Sequence, residues 1–275
     1  MELALNAVIL KPSKPQGLGI KAHLNFAVNK NEIKKITTDV SMGINKLGWG
    51  STQHVLQKGY PINSLYAFRF AGFKKEEGYY QLAWYKADGN TSTEGVYSAL
   101  EPEDVVFAGG MDPKYTGSFV PEITWKGFTL NAMFAYYGGH YMRANASAWQ
   151  ARGYGNGALA SCLNYWNDPE AGIYMPQGVY SSSMKIESQG LPFIDQCVFP
   201  ADYLKLRNIV LSYDLPRALC AKCRIGSARL RFQMNNVATW VKNSLDIDPE
   251  ANNAWTGTHL NKTPRSYTIS LNINL

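Results

Sequence analysis

The chain ends on SYTISLNINL (266–275), in which Tyr267, Ile269, Leu271, Ile273 and Leu275 are apolar and Thr268, Ser270, Asn272 and Asn274 are polar. Alternation this regular predicts a β-strand with one apolar and one polar face. Two environments accept such a strand. In a soluble sandwich the apolar face packs on a core and the polar face meets water. In a transmembrane barrel the apolar face meets lipid and the polar face a wet lumen. About 9–11 residues are enough for a tilted strand to cross a bilayer. The strand alone does not separate the two.

The connections between strands do. The same period recurs in GIKAHLNFAV (19–28), FTLNAMFAY (128–136) and ARLRFQMNN (228–236). Read along the chain, it predicts nine strands, at 2–10, 19–29, 60–70, 79–86, 115–125, 128–138, 203–213, 228–240 and 266–275. The first is less regular, and in 203–213 the apolar face switches near Arg207. The connections alternate in length: 11–18, 71–78, 126–127 and 214–227 are short, whereas 30–59, 87–114, 139–202 and 241–265 are long. A sandwich has no reason to alternate in this way. An outer-membrane barrel does, because its periplasmic turns are short and its extracellular loops long. The last strand then runs inward, the Lys126–Gly127 turn is periplasmic, and 139–202 lies outside, long enough for a short helix near 158–165. The expected fold is all-β, an antiparallel up-and-down transmembrane β-barrel. An odd strand count leaves a lipid-facing edge, which is not viable. The chain is therefore expected to be the C-terminal portion of a larger, here incomplete, barrel.

Composition agrees. Charged residues make up 17% of the chain, below the usual figure of about 25%, and there are 17 Tyr and 7 Trp. No run of apolar residues is long enough for a transmembrane helix. The start, MELALNAVILKPSKP, has no basic n-region, carries Glu2 and alternates, so it is not a signal peptide. The chain is then either cytosolic or preceded by further sequence. The net charge of +6 is scattered, with no basic stripe interleaved with aromatics, which argues against nucleic acid.

Motifs with chemical potential are few. Cys220-Ala-Lys-Cys223 is a lone CxxC; zinc needs a second pair or nearby histidines. In the turn 214–227 it reads either as a local disulfide or as two ordinary thiols, the latter favoured. Cys162 and Cys197 both fall in the 139–202 loop, where a bridge is open to them. His23, His54, His140 and His259 are isolated. GYGNG (153–157) lacks the lysine and the strand–helix setting of a phosphate loop and reads as a loop tip. Asp246, Asp248 and Glu250 form an acidic cluster, readable as a calcium site or, preferably, as solvated loop charge. No nucleophile–base arrangement stands out, so neither an enzyme nor a cofactor is expected.

Several stretches resemble one family. LNFAVNKNEIKKI (24–36), KGYPINSLYAFRFAGF (58–73), LEPEDVVFAGGMDPKYTGSFVPEITWKGFTLNAMFAYYGG (100–139), YWNDPEAGIYMP (165–176), ADYLKLRNIVLSYDLP (201–216), RLRFQMNNVATWVKNSLDIDPE (229–250) and the terminal PRSYTISLNINL are similar, in order and spacing, to the C-terminal barrel half of SusC/RagA-type TonB-dependent outer-membrane transporters. The resemblance implies roughly the last nine strands of a 22-stranded plugged barrel. The plug domain, the TonB-contacting segment and the first barrel half would lie outside this chain. It further implies import of glycans or peptides, a SusD-like surface lipoprotein as lid, coupling to the TonB complex through the absent N-terminal part, and contact with outer-membrane lipid. Trp149, Tyr154, Tyr165, Trp166 and Trp255 fall in long outer loops, where aromatic faces suit sugar stacking; packing within the loop is the alternative. Arg229, Arg231, Gln233 and Asn235 are expected to face the lumen. Two other readings stay open: a truncated, non-transporting remnant, and a soluble carbohydrate-binding β-sandwich.

Overall fold

The computed structural model describes residues 1–14, 16–36, 56–76, 79–94, 99–144 and 193–274. Its main body is one antiparallel sheet of seven strands. In spatial order these are β1 (Glu2–Leu10), β2 (Gly19–Val28), β7 (Tyr115–Trp125), β8 (Phe128–Gly138), β11 (Tyr203–Asp214), β12 (Ser227–Val241) and β13 (Ser266–Asn274). The register carries the alternation of each strand across the whole sheet. Leu10, Ile20, Ile123, Leu130, Leu211, Phe232 and Ile269 are successive cross-strand partners, one from each strand. One residue along, on the opposite face, the row reads Thr124, Thr129, Ser212, Arg231 and Ser270. One face is apolar and the other polar.

Local chemistry fixes that register. The β7–β8 turn consists of Lys126 and Gly127 with φ of 50° and 85°. Positive φ at both central residues marks the two-residue turn whose twist matches its strands. In β11 the face switch expected near Arg207 is present: the register slips between Leu206 and Asn208 against both neighbours. The irregularity lets Tyr203, Lys205, Arg207, Asn208 and Val210 share the polar face, because one additional residue inverts the alternation beyond it. Asn236, at φ 54°, is the opposing irregularity in β12.

Two of the nine expected strands do not belong to this sheet. β2 pairs directly with β7, from Gly19↔Thr124 to Val28↔Tyr115. Segments 60–70 and 79–86 are extended but build a second, four-stranded sheet in the order β5-β4-β3-β6. Its strands are β3 (Ser64–Glu76), β4 (Tyr79–Tyr85), β5 (Thr91–Ser92) and β6 (Val105–Gly110). Among the described residues the wall therefore has seven strands rather than nine, and 71–76 of the expected turn at 71–78 belong to β3 of the second sheet. The physical reason is burial of both faces. Ser64, Leu65, Tyr66, Ala67 and Phe68 are consecutive and all buried, as in a strand covered on both sides rather than one set between lipid and lumen. The alternation of connections survives: 11–18, 126–127 and 215–226 are short and join strands at one end of the sheet, whereas 29–114, 139–202 and 242–265 are long and join strands at the other.

The packed cores lie with the long connections. Tyr66, Phe68, Leu82, Trp84, Leu100, Ile194 and Cys197 form one, and Met142, Ala144, Ala201 and Ile247 a second. Among the described residues nothing covers the apolar face of the seven-stranded sheet in this way: Leu5 is 53% exposed, Ile269 74% and Leu271 58%. At a strand spacing of about 4.8 Å and a rise of about 3.3 Å per residue, the face spans roughly 900 Å². A soluble monomer rarely exposes more than a few hundred. The sandwich reading fails here, since a sandwich would bury this face. The fold is an open, antiparallel portion of a β-barrel.

Candidate functional site

The long connections are tied together by Arg143. It sits on the short strand β9 (Tyr141–Arg143), paired with β10 (Val198–Pro200), and is 1% exposed. Its Nε donates to the Trp255 carbonyl at 3.0 Å and its Nη2 to the Tyr66 carbonyl at 2.9 Å. The guanidinium lies 4.6 Å from the Phe193 ring centre. Its backbone N–H bonds the Ala254 carbonyl, and Asn252 donates to its carbonyl at 2.9 Å. One side chain thus joins the second sheet, the 139–202 connection and the 242–265 connection. Burial pushes its pKa down to about 10, leaving it charged at neutral pH. Next to it, Gly109 leaves room for Tyr141, whose ring occupies the place of any Cβ there.

Glu250 ties this assembly to the wall. It belongs to a short helical turn, Pro249–Ala251, capped by the Asp248 side chain. Its carboxylate accepts from Tyr203 at 2.9 Å, from Arg207 Nη1 at 2.8 Å, and from Lys205. Burial alone would raise its pKa. The hydrogen bonds from Arg207, Lys205 and Tyr203 outweigh burial and hold the group at about 2. Tyr203, Lys205 and Arg207 share a face by plain alternation, and the irregularity between Leu206 and Asn208 keeps that face on the polar side of the sheet. Asp202 adds a second tie, accepting from the Gly139 N–H at 2.8 Å and pairing with Lys242 at 3.2 Å. Asp112 gathers the Asn31 and Asn63 side chains at 3.0–3.1 Å. His140 is buried near the Tyr203 ring, and burial depresses its pKa.

Below this assembly the polar face is hollowed. Glu2, Asn25, Thr116, Ser118, Tyr137 and Arg207 line a recess of about 610 Å³ that spans five strands. Tyr137 stacks on Tyr203 at 4.9 Å, with the Arg207 guanidinium 5.7 Å from its ring. Arg229, Arg231, Gln233 and Asn235 share this polar face, toward the far edge of the sheet. Arg229 forms a bidentate pair with Asp214, with one contact of 2.9 Å. Arg231 donates to Gln233, Gln233 to Asn235, and Asn235 to Ser266, at 3.0, 2.7 and 3.0 Å. Arg231, Gln233, Asn235 and Ser266 thus form a hydrogen-bonded ladder.

Of the five expected loop aromatics, Trp149, Tyr154, Tyr165 and Trp166 lie outside the described residues, as do Cys162, His54, GYGNG (153–157) and the expected helix near 158–165. Trp255 is half-buried, its carbonyl held by Arg143 and its N–H by the Asn253 side chain at 3.0 Å. The acidic cluster is partly engaged by cations and backbone: Glu250 as above, and Asp248 by the Glu250 N–H, with Lys205 at 3.8 Å. The roles of Arg143, Tyr203 and Lys205 were not legible, since each depends on partners 40 or more residues away. Apolar flanks around a lone Arg143, in HYMRANA, were the one available hint. Chemically, the described site offers hydrogen bonds, aromatic faces and fixed charges suited to holding a polar oligomer.

No protein-family model matches the chain. The TonB-dependent receptor P3 of Formosa agariphila is 23% identical over 239 residues, covering 83% of this chain and 23% of the receptor. The RagAB peptide importer in its open-open state matches 100% of this chain and 28% of its own, at 26% identity and a TM-score of 0.66. Its closed-closed state matches 99% and 29%, at 27% identity and 0.67. The chain spans about a quarter of the length of these relatives. In sequence and in fold the chain is similar to a barrel segment of SusC/RagA-type TonB-dependent transporters.

Proposed function

We propose that this chain is the C-terminal barrel wall and outer-loop portion of an outer-membrane transporter importing glycans or oligopeptides. The plug domain and the first barrel half belong to sequence beyond it. The observation that carries this reading is the unbroken apolar face opposed to a hollowed polar one, with all long connections at a single end. The apolar face meets outer-membrane lipid, and the polar face, with Arg229, Arg231, Gln233 and Asn235, lines the lumen. The tied loops, with Trp149, Tyr154, Tyr165, Trp166 and Trp255, bear on cargo beneath a SusD-like lipoprotein lid. The TonB complex acts through the N-terminal part. Peptide cargo gains support from the RagAB neighbours, described as peptide importers.

The test is an antibody against the 139–202 loop, read on outer-membrane fractions of the source cells. An antigen several times heavier than the 30.6 kDa of this chain, co-purifying with a surface lipoprotein, is the expected result. An antigen of the chain's own mass, or none, would mean a truncated remnant and overturn the transport role.

A further inference from the structure

The turn between β11 and β12 contains a feature that transport does not use. Residues Arg217–Lys222 form a single short helix, α1, which ends in a closed hydrogen-bonded motif. The Ile225 N–H bonds the Cys220 carbonyl and the Arg224 N–H the Ala221 carbonyl, both at 3.1 Å. Arg224 sits at φ 56°, in the left-handed position that ends such helices and is usually glycine. Cys220 and Cys223 both lie inside this motif. The Cys223 N–H also bonds the Cys220 carbonyl at 3.1 Å. A hydrogen bond of this span brings the two Cα atoms within about 7 Å, and disulfides need about 4.4–6.8 Å. The Cα separation therefore lies near the range that a bridge needs. Access differs between the two thiols. Cys220 is 2% exposed, its Sγ directed at the Leu215 carbonyl, whereas Cys223 is exposed. Arg217, Lys222 and Arg224 flank them in sequence.

We propose that Cys220 and Cys223 form a reversible disulfide, installed by a protein carrying an oxidised dithiol. Resting on the transporter reading, this places the short turns in the periplasm, where disulfides form and persist. The Cys223 thiolate attacks one sulfur of the partner's disulfide, giving a mixed disulfide and a partner thiolate. The Cys220 thiolate then attacks Cys223 Sγ, and the partner leaves as a dithiol. The two electrons from the cysteine pair go to the partner, and the protons of the two thiols pass to the partner's two sulfurs. The exposed cysteine attacks and the buried one resolves. The bridge locks the last turn of α1 just before Arg224, within the connection that closes the β11–β12 hairpin.

The experiment is differential alkylation of the full-length protein in its own cells. Membranes are dissolved in denaturant with iodoacetamide present, so that buried free thiols react, then reduced and treated with N-ethylmaleimide, and residues 217–229 are read by mass spectrometry. Both cysteines should carry the maleimide, and in C220S Cys223 should carry acetamide instead. Acetamide on both cysteines of protein recovered from outer membranes overturns the disulfide and leaves the transporter reading intact. Protein recovered only from the cytoplasm overturns both.

Discussion

At Arg143 a single charge satisfies carbonyls from two separate connections while its ring contact reaches a third. Arg143→Met keeps much of the side-chain volume and removes the donors. The Tyr66 and Trp255 carbonyls then each lose a charged donor, at about 1.5–3 kcal/mol each. The expected outcome is faster protease cleavage within 242–265 on intact cells, with the barrel itself unchanged in heat-modifiable mobility. Glu250 gives a pH signature. Its pKa falls from an ordinary 4.5 to about 2 on folding. A depressed carboxylate contributes its full stability above the unfolded value and loses it as pH falls toward the folded one. The 242–265 connection should therefore stay anchored above about pH 4.5 and loosen between that point and pH 2. Hydrogen exchange of this segment, compared at each pH with E250Q, checks this. The variant should exchange faster at neutral pH and show no acid step.

At the scale of single elements, the irregularity in β11 is the sharpest case. Deleting Arg207 restores strict alternation and turns Tyr203 and Lys205 to the lipid face. A lysine there costs about 2–4 kcal/mol at mid-membrane depth, less near the interface. Arg207→Ala keeps the irregularity and loses the bond to Glu250 together with the contact on the Tyr137 ring. The deletion should sharply reduce folded barrel recovered from outer membranes, whereas the alanine variant should assemble and lose the loop anchor. Elements also show what the sequence reveals. β2, β8, β12 and β13 each present period-two alternation to two unlike environments, so their faces can be read directly. β7 and β8 match the expected bounds of 115–125 and 128–138. β3 was legible as a strand but not as a strand of another sheet, because pairing partners are chosen by burial on both faces. The clue was present in SLYAF (64–68), whose apolar run does not alternate. β6, VVFAGG, is short and ends in two glycines, and so read as loop. The ladder on β12 was legible as a face, but its hydrogen bonds were not.

Over the whole molecule, the two faces of the seven-stranded sheet make opposite demands. Leu211→Arg places a charge in the row that crosses every strand on the apolar side. Ser212→Arg places it in the neighbouring polar row. The first should cost about 2–4 kcal/mol of barrel stability, and the second should be tolerated in denaturant-driven unfolding of the full-length barrel in detergent or lipid. The two residues are adjacent, so the contrast isolates the side of the wall from depth within it.

The pairing of β2 with β7 has a consequence for how such a protein changes over time. The chain leaves the wall at Asn29 and returns at Lys114, and the Asn29 N–H bonds the Lys114 carbonyl at 2.9 Å. Exit and re-entry are one hydrogen bond apart. Everything from 30 to 113 is therefore a cassette inserted at a hairpin tip, where chains accept insertions most readily. It can be lengthened, shortened or replaced by the equivalent piece of another transporter without moving any wall strand in register. Its grip on the rest runs through contacts such as the one from Arg143 to the Tyr66 carbonyl. A graft that supplies a backbone carbonyl at that point should be accepted by the same wall, so the outer surface can diversify while the barrel stays fixed.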